Sequence, residues 1–139
     1  MAKFVLKTAV ITVDGDDISD HVSSVTIETE RDEVDVTAFG AANKEILAGL
    51  GDATITLEVF QDFASNEIDQ NMYQHSIEDS PFEVTVKPTN AATSATNPEY
   101  SMQALLFGYS PIAGAVGEAS TTTLVFRNAS QTGLVKAYT

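Results

Sequence analysis

Polar and apolar side chains alternate one by one along most of this chain, and a period of two restricts it to sheet structure with one wet face. In Thr54-Ile55-Thr56-Leu57-Glu58-Val59 the residues Ile55, Leu57 and Val59 fall on one side and Thr54, Thr56 and Glu58 on the other. Phe82, Val84 and Val86 alternate likewise with Glu83, Thr85 and Lys87, Val25 and Ile27 with Thr26 and Glu28, and Val34 and Val36 with Asp35 and Thr37. These patterns predict antiparallel strands packed on one face and solvated on the other.

Residues 4–13 form a β-rich run that stops at Asp14-Gly15-Asp16-Asp17, where Gly15 suits a tight turn, and a hairpin to a strand at residues 22–29 is expected. Two further core strands are predicted at residues 101–109 and 120–127, joined by the Gly/Pro-rich residues 110–118. The spacing predicts one helix over residues 65–76. Ser65 is its expected cap, Glu67 and Asp69 lie in its first turn, and Ile68, Met72 and His75 or Ile77 form one apolar stripe. A short helical piece at residues 43–48 is expected to end at Gly49, Gly51 and Asp52.

The chain has 139 residues, 43% of them hydrophobic, which fits a single domain over residues 1–139 with one core. Residues 30–52 combine a charge run with Gly40 and exceed an ordinary connection, so they are read as a long loop reaching outward. Residues 89–97 read as a polar loop. Residues 128–139 lack a turn signal but keep Leu134, Val135 and Tyr138, as an arm that orders against a neighbour would. The first seven residues are too short and polar for a secretory segment, and residues 104–119 are broken by Ser110, Pro111 and glycines, so neither a signal peptide nor a membrane span is expected.

Charge is segregated along the chain. Before Pro81 there are 17 acidic and 4 basic side chains; from Pro81 onward there are three of each, so the net charge of -13 belongs to the first part alone. A pI near 4.2 opposes attraction to nucleic-acid phosphates, which draws on clustered Lys and Arg. Confined charge on a strand-patterned chain points to an acidic surface with a purpose, in a structural or binding protein.

Catalytic patterns are missing. With no cysteine, thiol catalysis, Cys-ligated zinc and disulfides are excluded. Asp14, Asp16, Asp17 and Asp20 lack the glycine and bidentate glutamate of a calcium loop and read as a turn with a helix cap. His21 and His75 belong to no H-x-x-x-H spacing, so no zinc site is read from sequence. Glu28, Glu30, Asp32, Glu33 and Asp35 supply carboxylate pairs, but without an aromatic platform they read as a solvated strand face rather than glycosidase chemistry. The chain is read as a non-enzyme without cofactor.

Several segments together carry a resemblance over nearly the whole chain: Ala2-Lys3-Phe4-Val5-Leu6-Lys7, the step Ile18-Ser19-Asp20-His21-Val22, Gly49-Leu50-Gly51-Asp52 leading into residues 54–60, Pro88-Thr89-Asn90, and Thr96-Asn97-Pro98-Glu99-Tyr100. In pattern and order the chain resembles tail-tube (major tail) proteins of long-tailed bacteriophages. The resemblance implies an antiparallel β-sandwich with one flanking helix, whose inner sheet joins a β-barrel ring of six subunits. Rings would stack into a hollow virion tail, built in the host bacterial cytoplasm, that DNA traverses without adhering. The other expected partners are the tape-measure, tail-terminator and distal-tail proteins, with no membrane contact.

Under this resemblance, Glu28, Thr54, Thr56 and Glu58 are candidate lumen residues. Asp32, Asp35, Phe39, Lys44, Ile46 and Leu47, within residues 30–52, are candidate contacts to the adjacent ring. Leu134, Val135 and Tyr138 are candidate arm contacts between subunits. A capsid decoration or head-completion protein is the alternative expectation, and a carbohydrate- or calcium-binding sandwich a third.

Overall fold

β-branched and aromatic residues at alternate positions build eight strands, described here from a computed structural model over residues 3–138; Met1, Ala2 and Thr139 lie outside the described residues. In chain order the elements are β1 (Val10–Val13), β2 (Asp16–Asp17), a 3₁₀ turn (Ser19–His21), β3 (Val22–Asp35), β4 (Ile46–Phe60), α1 (Ile68–Ile77), β5 (Phe82–Lys87), β6 (Glu99–Gly108), β7 (Thr121–Asn128) and β8 (Val135–Ala137). The strands hydrogen-bond in the order β2-β1-β5-β6-β7-β4-β3, with β8 added to β6, and every pair is antiparallel. The protein is thus mainly β with one α-helix among its described residues, and its sheet is open rather than closed into a barrel. None of the described helices is long and apolar enough to cross a membrane.

The alternation read from sequence defines the core. Ile11 and Val13 of β1, Ile55, Leu57 and Val59 of β4, Val84 and Val86 of β5, Met102, Ala104 and Leu106 of β6, and Leu124 and Phe126 of β7 are all buried. Each such Val, Leu, Ile, Met or Phe contributes roughly 1.5–3 kcal/mol by leaving water. Helix α1 adds Ile68, Met72 and His75 to the same cluster. The His75 ring lies 4.1 Å from that of Phe82, which meets Phe126 edge-on at 5.8 Å.

Several expectations are corrected. Val10, not Phe4, opens β1, and its hairpin partner is β2 across a turn in which Asp14 and Gly15 both have positive φ, as a two-residue turn requires. The strand at Val22 pairs instead with β4. Residues 30–52 are not a loop. β3 and β4 run on through them as a hairpin that turns over residues 36–45, and the helix expected at residues 43–48 is replaced by the start of β4. Gly49 is needed there for close approach, because a Cβ on it would lie 3.0 Å from Asp32 Cβ and 3.1 Å from Val34 Cγ2. Helix α1 begins at Ile68 after Glu67, so Ser65 is not its cap. Gln70 reaches back instead to accept from the Asn66 N–H at 2.8 Å, and the Asp69 N–H donates to the Asp62 carbonyl at 3.0 Å.

Tyr109 ties the helix to the sheet. Its hydroxyl donates to Asp69 at 2.6 Å and accepts from the Gln61 amide at 3.1 Å. Burial, joined by the hydrogen bond to the Asp69 carboxylate, pushes its pKa up to about 12. The folded state therefore holds this proton more tightly than the unfolded chain. The resulting stability is complete below the ordinary phenol pKa of about 10 and is lost as pH rises from there toward the folded value. Spectrophotometric titration is expected to show a tyrosine ionising near pH 12 that Tyr109→Phe removes; a wild-type curve without that late step would contradict the contact.

Candidate functional site

Pairing across β3, β4 and β7 gathers the polar residues of three strands onto one surface. Glu28 lies opposite Thr54, which lies opposite Arg127; Thr26, Thr56 and Val125 form the next row, and Glu58 pairs with Ser24 and Thr123. Each row alternates with a row of core residues, such as Ile27, Ile55 and Phe126. Glu28, Thr54, Thr56 and Glu58, whose alternation put them on polar strand faces, therefore share one face. The sequence reading missed Arg127, whose guanidinium donates to Asp52 at 3.2 Å across the strands. Only the register of β7 against β4 reveals it, because Arg127 and Asp52 are 75 residues apart.

Glu28, Glu30, Asp52, Thr54, Val125 and Arg127 line a shallow depression of about 230 Å³ on this face. Four carboxylates, those of Glu28, Glu30, Asp52 and Glu58, face one guanidinium, so the surface keeps an excess of negative charge. The Arg127–Asp52 pair is about half exposed on both sides and is worth no more than about 1 kcal/mol. Apart from Val125 the surface is Thr, Ser, carboxylates and one Arg, and it offers a polyanion no cluster of basic donors.

The second feature is the outer half of the β3–β4 hairpin. Beyond Ala53 on β4 and Ile27 on β3 neither strand buries a residue, and among the described residues the two pair with each other alone. Here Val34 lies opposite Leu47 and Asp35 opposite Ile46, and a bulge between Arg31 and Glu33 shifts the register. Phe39 at the tip is fully exposed and Leu50 is 81% exposed, with Val34, Val36, Ile46 and Leu47 also open to solvent. Of the residues expected in a loop, Asp32 and Asp35 lie on β3, Ile46 and Leu47 on β4, and Phe39 and Lys44 in the turn. The Asp35 carboxylate accepts from the Thr37 N–H at 2.9 Å, which holds its pKa below the usual range and begins the turn.

The C-terminal segment differs from expectation in one respect. It orders on its own chain: Val135 pairs with Ser101 and Ala137 with Glu99, along a stretch of β6 that β7 does not reach, and Leu134 packs on the core. Val135 and Tyr138 remain about half exposed, and the Lys136 ammonium stands 5.3 Å from the Tyr138 ring. The acidic turn carries a local bond, the Ser19 N–H donating to Asp17 at 2.9 Å, but the N-cap of the 3₁₀ turn is Ile18, without a side-chain cap.

No protein-family model matches the chain, and no curated protein matches its sequence. Solved structures do. A chain in the virion of a native gene transfer agent particle aligns over 94% of this chain and 95% of its own length, with a TM-score of 0.71 at 17% identity. A chain in the tail of an empty gene transfer agent particle with C6 symmetry aligns over 95% and 94%, with a TM-score of 0.70 at 16% identity. A chain in the extended sheath-tube complex of an extracellular contractile injection system aligns over 99% and 93%, with a TM-score of 0.69 at 11% identity. This chain thus has, from end to end, the fold of subunits found in phage-like tails and injection tubes.

Proposed function

We propose that the chain is the subunit of a hollow, phage-like tail tube, in which six copies form a ring, rings stack, and DNA passes through the bore to be delivered. The observation that carries this reading is the likeness over both full lengths to a chain of a C6-symmetric tail. The chain's own surfaces support it. β3 ends the sheet, so a 14-residue strand keeps one edge without a partner among the described residues, and a neighbouring copy could continue the sheet there. The face bearing Glu28, Thr54, Thr56 and Glu58 then lines the bore, where fixed carboxylates repel phosphates. The role is structural, and no step of it needs a catalytic group or a cofactor.

The outer hairpin is the contact to the adjacent ring. A two-stranded ribbon is marginal alone in water, and one with Val34, Phe39, Ile46, Leu47 and Leu50 exposed gains most by being covered. Val135 and Tyr138, outside the core, are contacts between copies within a ring. In the particle the tube meets tape-measure, terminator and distal-tail proteins, and it is assembled in the bacterial host's cytoplasm before becoming part of the virion. The full-length likenesses to tail and injection-tube chains favour this reading over a capsid decoration or head-completion protein.

Negative-stain microscopy of the concentrated protein tests the proposal directly. Six-fold rings and hollow filaments are expected, and strictly monomeric material at high concentration would refute it. Because each subunit carries a net charge of -13, assembly is expected to strengthen as salt shortens the screening length from about 30 Å to about 10 Å; loss of filaments over that range would mean that ion pairs between subunits dominate. In Leu47→Asp, circular dichroism and the thermal midpoint are expected to match the wild type within a few degrees while filaments disappear. Filaments of normal length from this variant would remove the hairpin from the stacking contact.

A further inference from the structure

The 3₁₀ turn places His21 against two carboxylates that are remote in sequence. Its Nε2 lies 3.0 Å from Asp62 Oδ2, just after β4, and 3.8 Å from Glu67 Oε2, at the start of α1. The three ligand atoms all fall within 4.8 Å of one another, the one such grouping of metal-ligating side chains among the described residues. On the far side of the ring, Nδ1 is 2.9 Å from Asp20 Oδ1, which fixes the imidazole so that Nε2 points at the two carboxylates. An imidazole oriented by a carboxylate behind it is how protein metal sites hold a histidine ligand. What sets this group apart from an acidic patch is that nitrogen donor, held and aimed.

We propose that His21, Asp62 and Glu67 bind a divalent transition-metal ion, zinc being the best match, which clamps the start of β3 and the end of β4 to the head of helix α1. Zinc bonds of about 2.0–2.1 Å in a tetrahedron put ligand atoms about 3.3 Å apart, and the observed 3.0 and 3.8 Å bracket that spacing. No pair of the three ligand atoms is more than 4.8 Å apart, so each lies within about 1.5 Å of that spacing. Water completes the coordination from the adjoining open pocket, of about 200 Å³, which Asp16, Asp17, Asp20 and Asn71 also line. The positive end of α1 opposes a cation there with about half a charge, but the surrounding carboxylates outweigh it severalfold. Without metal the same neighbours favour a proton on His21. Burial opposes charge on His21, yet the hydrogen bonds to Asp62 and Asp20 and the pull of Asp20 and Glu67 prevail, raising its pKa above the ordinary 6.5.

Calorimetric titration of the full chain with zinc chloride near neutral pH tests the clamp. One ion per chain with micromolar affinity is expected, weakened at least about tenfold in His21→Gln and in Glu67→Gln, the latter altering only a half-exposed side chain. The chain has two histidines, so ring ¹H–¹⁵N spectra provide an independent reading: zinc is expected to move the His21 signals and leave those of His75 in place. The proposal is overturned if the wild type takes up no zinc at millimolar concentration, if both variants bind as tightly as the wild type, or if the His75 ring responds instead. None of these outcomes depends on whether the chain forms a tube.

Discussion

The structure depends on the register that locks β3, β4 and β7 together. Because side chains alternate strictly along a strand, one pairing puts Ile55 and Phe126, with the partly buried Ile27, in a single inward row and Glu28, Thr54 and Arg127 in a single solvated one. A slip of one residue would bring Thr54 and Thr56 to the core and put Ile55 and Leu57 in water. Burying one large aliphatic side chain is worth roughly 1.5–3 kcal/mol, so a slip that exposes several of them costs as much as a domain's whole stability. The chemistry of the wet face is therefore set by packing on the opposite face, and its carboxylates are held in position without ligands of their own.

That dependence also explains which parts of the fold were legible in the sequence. Where a strand lies on the core, as at residues 54–59 and 82–87, the alternation is plain, and both the strand and its wet face follow from it. Helix α1 is visible for the same reason, through Ile68, Met72 and His75. Residues 30–52 were misread because pairing between its own two strands and turn bonds at Thr37, not core burial, hold the outer hairpin. With nothing among the described residues burying either side, its residues follow no burial rule, and Gly49, which suggests the end of an element, in fact permits close strand approach. That residues 135–137 order on their own chain was not legible either, since the stretch of β6 that receives β8 is open only because β7 pairs with the other part of that strand.

The candidate sites divide along the same line. Glu28, Thr54, Thr56 and Glu58 could be grouped from local pattern, because they lie on strands that are neighbours in both sequence and space. Arg127 beside Asp52, and His21 beside Asp62 and Glu67, could not be, because each grouping depends on the path of the whole sheet. Spacing along the chain detects ligand sets carried by one helix or one turn. It is blind to sets assembled from the ends of several strands, and most of this protein's polar chemistry is of that second kind.

The bulge between Arg31 and Glu33 separates two regimes of the same hairpin. Below it, one face of each strand runs on to the core; above it, no residue is buried, and the register can change by a residue without disturbing a buried atom. The body and its projecting ribbon can consequently diverge at different rates. Related subunits could keep one interior architecture while exchanging the length and lettering of the ribbon, which makes the outer hairpin the place where such assemblies can acquire a private mating code at little cost to the folding of the rest.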